Sequence, residues 1–130
     1  MFTIATTMEN DFAYLDLKNG KESAKAKISL HEGGRLMELQ FNGIYIIKDQ
    51  PSSKYKDTFA SSILFPFANR IKNGLYSFNG KEYQLNCNEN GRNNALHGLV
   101  FDKKFEIIDR DLKYNSCAIT LLYQEKEKRA

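Results

Sequence analysis

Five of the eight glycines in this chain of 130 residues directly follow an asparagine: Gly20, Gly43, Gly74, Gly80 and Gly91. Asn-Gly favours positive φ, so each pair marks a tight turn of the kind that closes an antiparallel hairpin. Between these punctuation marks the apolar residues alternate. Ala24, Ala26, Ile28 and Leu30 are separated by Lys25, Lys27 and Ser29, and Met37, Leu39 and Phe41 by Glu38 and Gln40. Period two places each apolar set on one face of a strand.

Ile44–Lys48 reads as a further strand and Ile63–Phe67 as another, ended or bent at Pro66, with later strands expected at Phe105–Asp109 and Ala118–Tyr123. The clearest hairpin has Leu75–Phe78 running in, Asn79-Gly80 as a type I′ turn, and Lys81–Leu85 running out. In that register Tyr76 and Phe78 share a face with Tyr83 and Leu85. Core packing is the main job expected of these aromatics, and an aromatic platform for a ligand is the alternative.

Helical periodicity is poor. Asp49–Thr58 is polar, contains Pro51, and reads as a long loop with room for one helical turn. The chain turns abruptly charged at Gln124–Ala130, so residues 1–123 are expected to form the domain and 124–130 a tail. Short strands separated by turns define an all-β class, sandwich or barrel. Pattern alone carries the argument no further, because an architecture names no activity.

Composition limits the function classes. A chain of 130 residues with 42% hydrophobic and 12% aromatic residues suits one globular domain. At that length folding buries about two-thirds of the unfolded surface, enough for a core without staples. No apolar run approaches the roughly 18 residues of a membrane span. The opening residues, MFTIATTMENDF, lack a basic leader followed by an apolar block, which favours the cytoplasm. The net charge of +3 is spread along the chain, with basic clusters confined to Lys103–Lys104 and the last few residues, so nucleic acid is not expected as a partner. Cys87 and Cys117 sit in no metal-type spacing and read as reduced, non-functional thiols.

Chemistry concentrates in two strings, Ala68-Asn69-Arg70-Ile71 and Asn94-Ala95-Leu96-His97-Gly98. Arg70 offers fixed donors to neighbouring hydroxyls, Asn69 both donates and accepts, and a neutral His97 does one at each ring nitrogen. Taken singly, each is more often a surface arginine or a satisfied turn histidine. Together they suit a polyol. His31 precedes Glu32-Gly33-Gly34 and reads as a turn or surface residue. Glu32 beside it is rejected as its acid–base partner, because neighbours on a strand point to opposite faces.

The order ANRIKNGLYSFNGKEYQL, then an Asn, then ALHG, resembles the aldose 1-epimerase (mutarotase) family. ISLHEGGRLMELQFNGIYII, over Ile28–Ile47, fits that family's opening strands, and the resemblance spans roughly Ala24 to Ile108. It implies an antiparallel β-sandwich, part of a galactose mutarotase-like supersandwich, with an aldohexose in a groove on one sheet. It also implies interconversion of sugar anomers without cofactor or metal, by an acid and a base acting on the ring oxygen and the anomeric hydroxyl. Carried over by motif, Asn69, Arg70 and His97 are the expected substrate-binding residues. Three departures suggest a divergent subgroup: Phe65-Pro66-Phe67 stands before Ala68, Leu99 follows His97-Gly98, and no tryptophan comes later, where Phe105 is the candidate replacement. The family's proton-donating histidine and its glutamate lie further downstream than this sequence reaches, so no residue here is assigned a catalytic role. The alternatives are a non-catalytic carbohydrate-binding module, or a fragment that pairs its uncovered sheet edges with a partner chain or in a homodimer.

Overall fold

A computed structural model of the chain describes residues 1–48 and 52–126. In chain order its elements are β1 Phe2–Glu9, β2 Phe12–Asn19, β3 Ala24–Ser29, β4 Arg35–Phe41, β5 Ile44–Ile47, helix α1 Ser52–Thr58, β6 Arg70–Lys72, β7 Leu75–Phe78, β8 Lys81–Gln84, β9 Asn94–Leu96, β10 Glu106–Leu112 and β11 Cys117–Leu122. The chain divides into two compact units: Met1–Ile63 with Phe101–Tyr123, and Leu64–Val100 with the residues from Gln124 onward.

In the first unit β1 to β5 form one antiparallel sheet in sequential order. The β10–β11 hairpin packs on it. Ala13, Leu15 and Leu17 alternate along β2 onto one face and meet Ile4, Ile28, Leu30, Ile107, Ile119 and Leu121. Leu15 is 0% exposed, a burial worth about 1.5–3 kcal/mol for a leucine side chain. Backbone bonds hold the strand entering the hairpin against the β3–β4 turn: Phe105 N–H donates to Leu30 O at 2.8 Å, and Gly33 N–H to Lys103 O at 2.9 Å.

The predicted strands at 24–30, 37–41, 44–48, 105–109 and 118–123 are all present with shifted ends. Three expectations need correction. Ile63–Phe67 forms no strand. Pro66 has no N–H to give a ladder, and the segment's backbone contact is Leu99 N–H donating to Phe65 O at 2.7 Å. Asn19-Gly20 is not a two-residue turn. The connection runs over Gly20–Ser23, closed by Glu22 N–H to Asn19 O at 2.9 Å, with Asn19 Oδ1 accepting from Ala24 N–H at 3.1 Å. Finally, Tyr76 and Phe78 are exposed rather than packed in a core. Tyr76 instead stacks across the hairpin on Tyr83, ring centroids 5.1 Å apart.

Asp49–Pro51, the start of the predicted polar loop, lies outside the described residues; the remainder folds as α1, which Tyr55 anchors. Its hydroxyl donates to Phe101 O at 2.9 Å and shares a hydrogen bond of 2.6 Å with Ser62 Oγ. Burial pushes the Tyr55 phenol pKa up, so it stays protonated and able to donate. Its ring lies 4.4 Å from the Arg35 guanidinium. Arg35 is 1% exposed and pairs with Glu32 at 3.2 Å, while Ser29 Oγ donates to the same carboxylate oxygen at 3.0 Å. His31 is a turn residue here: its Nδ1 accepts from Ala13 N–H at 2.9 Å and its ring stacks on Phe12.

Removing one partner of a buried ion pair strands the other charge. Arg35→Met is therefore expected to lower unfolding free energy by about 3–5 kcal/mol, measured by urea denaturation.

Candidate functional site

The second unit is built on two short pairings. The β7–β8 hairpin turns at Asn79-Gly80, and β6 pairs with β9 in the register Arg70↔Leu96, Ile71↔Ala95 and Lys72↔Asn94. A chain of three residues per strand leaves few ladder bonds, and side chains supply the rest. Asn88 serves as a substitute strand neighbour: its Oδ1 accepts from Leu96 N–H at 2.7 Å and its Nδ2 donates to Leu96 O at 3.1 Å. Gln84 does the same at the Asn73-Gly74 turn, donating to Asn73 O at 2.9 Å and Leu85 O at 2.8 Å.

Asn69 and His97 sit opposite each other just beyond the β6–β9 pair. His97 N–H donates to Asn69 O at 2.9 Å, and Asn69 N–H donates to His97 Nδ1 at 3.2 Å. Both have left-handed backbones, with φ of 64° and 61°. An Nδ1 that accepts puts the ring proton of the neutral imidazole on Nε2, making that edge a donor. The next residue must be glycine. Gly98 has φ of 80°, and a Cβ there would overlap the Phe65 backbone, 2.7 Å from its C and 2.8 Å from its N.

Asn69, Arg70 and His97, singled out from sequence, are thus brought together. Arg70 Nη1 donates to Asn69 Oδ1 at 2.9 Å, linking all three through Asn69. The arginine side chain is 46% exposed. Sequence reasoning missed a fourth member, Glu89. Both its carboxylate oxygens accept from Arg70 Nε, at 2.8 and 2.9 Å, and Asn94 Nδ2 donates to Oε2 at 3.0 Å. The Asn94 hydrogen bond is the largest cause holding the Glu89 carboxyl below the usual range; burial opposes it, and the Arg70 bond and charge and the Arg92 charge add to the lowering. The available signal was charge: Glu89 is the sole acid between Glu82 and Asp102, in a run containing Arg92. Its main partner lies 19 residues away, which spacing within the run does not reveal.

Among the described residues, no group of three or more His, Cys, Asp or Glu could hold a metal ion. Cys87 and Cys117 are free thiols. No described helix is long and apolar enough to cross a membrane.

The chain is all-β and antiparallel, with the fold of the galactose mutarotase-like proteins. It matches the crystal structure of a galactose mutarotase-like protein from Clostridium acetobutylicum with a TM-score of 0.80 at 21% identity, over 98% of this chain and 40% of that one. A galactose 1-epimerase from Lactobacillus acidophilus matches with a TM-score of 0.61 at 16% identity, over 87% and 35%. The family model for aldose 1-epimerase matches residues 14–129, and the chain belongs to that family. The uncharacterized protein YihR of Escherichia coli K12 is 35% identical over 75 residues, which is 58% of this chain and 24% of YihR.

The left-handed backbone at position 98 costs a non-glycine residue about 1–2 kcal/mol, and overlap with packed backbone about 1–3 more. Gly98→Ala is expected to lose stability on that scale in a denaturant titration, and to displace the His97 ring as seen by its imidazole NMR signals.

Proposed function

We propose that this chain carries the sugar-gripping part of an aldose 1-epimerase and holds an aldohexose through Asn69, Arg70 and His97. The observation that carries the reading is the polar cluster just described: a half-exposed guanidinium, an amide bonded to it, and an imidazole whose Nε2 edge donates. Fixed donors and acceptors of this kind match the vicinal hydroxyls of a hexose. Tyr76 and Tyr83, stacked and partly open, supply an apolar ring face in the same unit. On this reading residues 1–123 are one part of a mutarotase-like domain with 124–130 as a tail, the chain works in cytoplasmic carbohydrate metabolism, and it acts without nucleic acid or membrane.

Anomerisation needs a base at the anomeric hydroxyl and an acid at the ring oxygen, and positioned proton transfer contributes typically about 10²–10⁴-fold. Glu89 is a poor base, because its carboxylate is held by two donors, Arg70 Nε–H and Asn94 Nδ2, and its pKa is lowered. Binding with little or no catalysis is therefore expected of this chain. Titration with D-galactose and D-glucose, followed by NMR, should show saturable shifts at Asn69 and His97. Arg70→Ala should weaken binding about tenfold or more. Polarimetry of fresh α-anomer should show a rate close to buffer. Shifts that never saturate, or an Arg70→Ala chain that binds as well, would sink the reading.

A second reading concerns assembly. The chain spans 40% or less of each relative's length given above, and β5 is the outer strand of its sheet with Ile44 66% and Ile46 61% exposed. An apolar outer strand with open N–H and C=O groups invites pairing with another strand. We propose a homodimer through β5. Light scattering after size exclusion should give twice the chain mass, and Ile44→Lys with Ile46→Lys should halve it. A wild-type monomer at all concentrations would refute the dimer.

A further inference from the structure

We propose that Glu89 is a positioning residue for Arg70: its carboxylate takes the Arg70 Nε–H and so aims the outer N–H groups of the guanidinium at a bound sugar. The inference rests on the reading of Asn69, Arg70 and His97 as the sugar grip, and adds the group that sets the grip's geometry.

The pairing is side-on. Both carboxylate oxygens lie on Nε, at 2.8 and 2.9 Å, rather than across the two terminal nitrogens. Of the five N–H donors of a guanidinium, one goes to Glu89 and one, from Nη1, to Asn69 Oδ1 at 2.9 Å. No described residue accepts from Nη2. The guanidinium is thus fixed along one edge and tip and open along the rest. Exposure follows the same division: the Arg70 side chain is 46% exposed and that of Glu89 9%. The acid stands behind the arginine and does not meet the ligand.

Glu89 is itself held in place. Its backbone N–H donates to Asn94 O at 3.3 Å, its Oε2 accepts from Asn94 Nδ2 at 3.0 Å, and Arg92 N–H returns to Glu89 O at 3.2 Å. Asn94 belongs to β9, which pairs with the β6 strand that carries Arg70, so the arginine and the asparagine that holds its acceptor stand on one ladder. A long side chain locked before the ligand arrives loses less conformational freedom on binding, which is how a positioning group raises affinity without touching the ligand.

The charged groups facing Glu89 among the described residues are Arg70 from β6 and Arg92 from its own loop, at 3.8 Å. Asn94 adds an uncharged donor. Because the carboxyl sits below its ordinary range, the hold on Arg70 is present at neutral pH. It is lost only as pH falls through that lowered value.

The test uses the full chain labelled with ¹⁵N. In wild type the Arg70 Nε–H should give a distinct signal, slow to exchange with water, that shifts as Glu89 protonates at low pH. Glu89→Gln should lose that pH step, Glu89→Asp should keep it in weakened form, and the β6–β9 amide signals report whether each variant is folded. Affinity for D-galactose or D-glucose should fall about tenfold in Glu89→Gln, with partial recovery in Glu89→Asp. An Arg70 Nε–H signal that ignores Glu89 in the wild-type titration overturns the proposal, as does a folded Glu89→Gln chain with wild-type affinity. A wild-type chain that binds neither hexose yet keeps the coupled signal refutes the sugar reading and leaves the Glu89–Arg70 assignment standing.

Discussion

Left-handed backbone at points of chain reversal is the constraint on which the rest of this structure depends. At Asn42-Gly43, Asn73-Gly74 and Asn79-Gly80 both residues have positive φ, the geometry that reverses a strand with the twist its neighbour needs. Asn10-Asp11 does the same between β1 and β2 without glycine. The candidate site uses the identical device for another end. Adjacent residues in a strand point to opposite faces, so Asn69 and Arg70 would not ordinarily meet. Because Asn69 leaves the extended region, with φ of 64°, its amide swings back to accept from Arg70 Nη1. A left-handed asparagine or histidine costs about 1–2 kcal/mol. The reciprocal bonds between Asn69 and His97 offset that cost, and they are what a substitution at Gly98 would disturb.

Two arginine–glutamate pairs show how burial separates a wholly structural pair from one whose arginine stays open to solvent. Arg35 and Glu32 are covered by Tyr55, and their hydrogen bonds run to Ser29 and to each other. Arg35 Nε finds no partner there, a cost that the surrounding packing carries. Such a pair fixes the turn and the helix and has nothing to offer a ligand. In the Arg70–Glu89 pair the acid is covered and the arginine is not. Its bonds are shorter, 2.8 and 2.9 Å against 3.2 Å, yet the outward donors of the guanidinium stay open to solvent. The difference lies in the loop at 88–94, which folds over the glutamate and stops short of the arginine.

Much of this was legible in sequence, for physical reasons that also explain the failures. Strands β3, β4 and β11 read correctly because a half-buried sheet writes its two faces as alternation. Strand β1, FTIATTME, alternates only over its first residues; from Ala5 to Glu9 both faces are exposed on an outer strand and leave little pattern to find. Its turn to β2 lacks the glycine that marks the others. Ile63–Phe67 is apolar enough to suggest a strand, but apolar content is not pairing, and Pro66 withholds a donor. Asn69, Arg70 and His97 stood out by motif, since a family resemblance fixes order and spacing together. Glu89 did not, because a salt bridge between residues distant in sequence has no period. His31 and Glu32 do engage different partners, but not because a strand separates their faces: both lie in the β3–β4 turn, where Glu32 pairs with Arg35 and His31 accepts from Ala13.

The cluster's hydrogen bonds also bear on what chemistry it can support. A group that moves protons must have its reacting lone pair or proton directed at the substrate, with a pKa near the working pH. The Glu89 carboxylate meets neither condition, since its oxygens face Arg70 and Asn94 and its affinity for a proton is reduced. On His97, the Nδ1 lone pair is turned to Asn69 N–H, which leaves the ring suited to donating from Nε2 rather than to accepting there. Arginine is not deprotonated at any ordinary pH, so it cannot serve as the acid or the base. Fixed protons and engaged lone pairs, the features on which the proposed hexose grip rests, are also the ones that suit these residues poorly to moving protons. Within this cluster, the distinction between groups that can hold a ligand and groups that could move a proton follows from hydrogen-bond geometry.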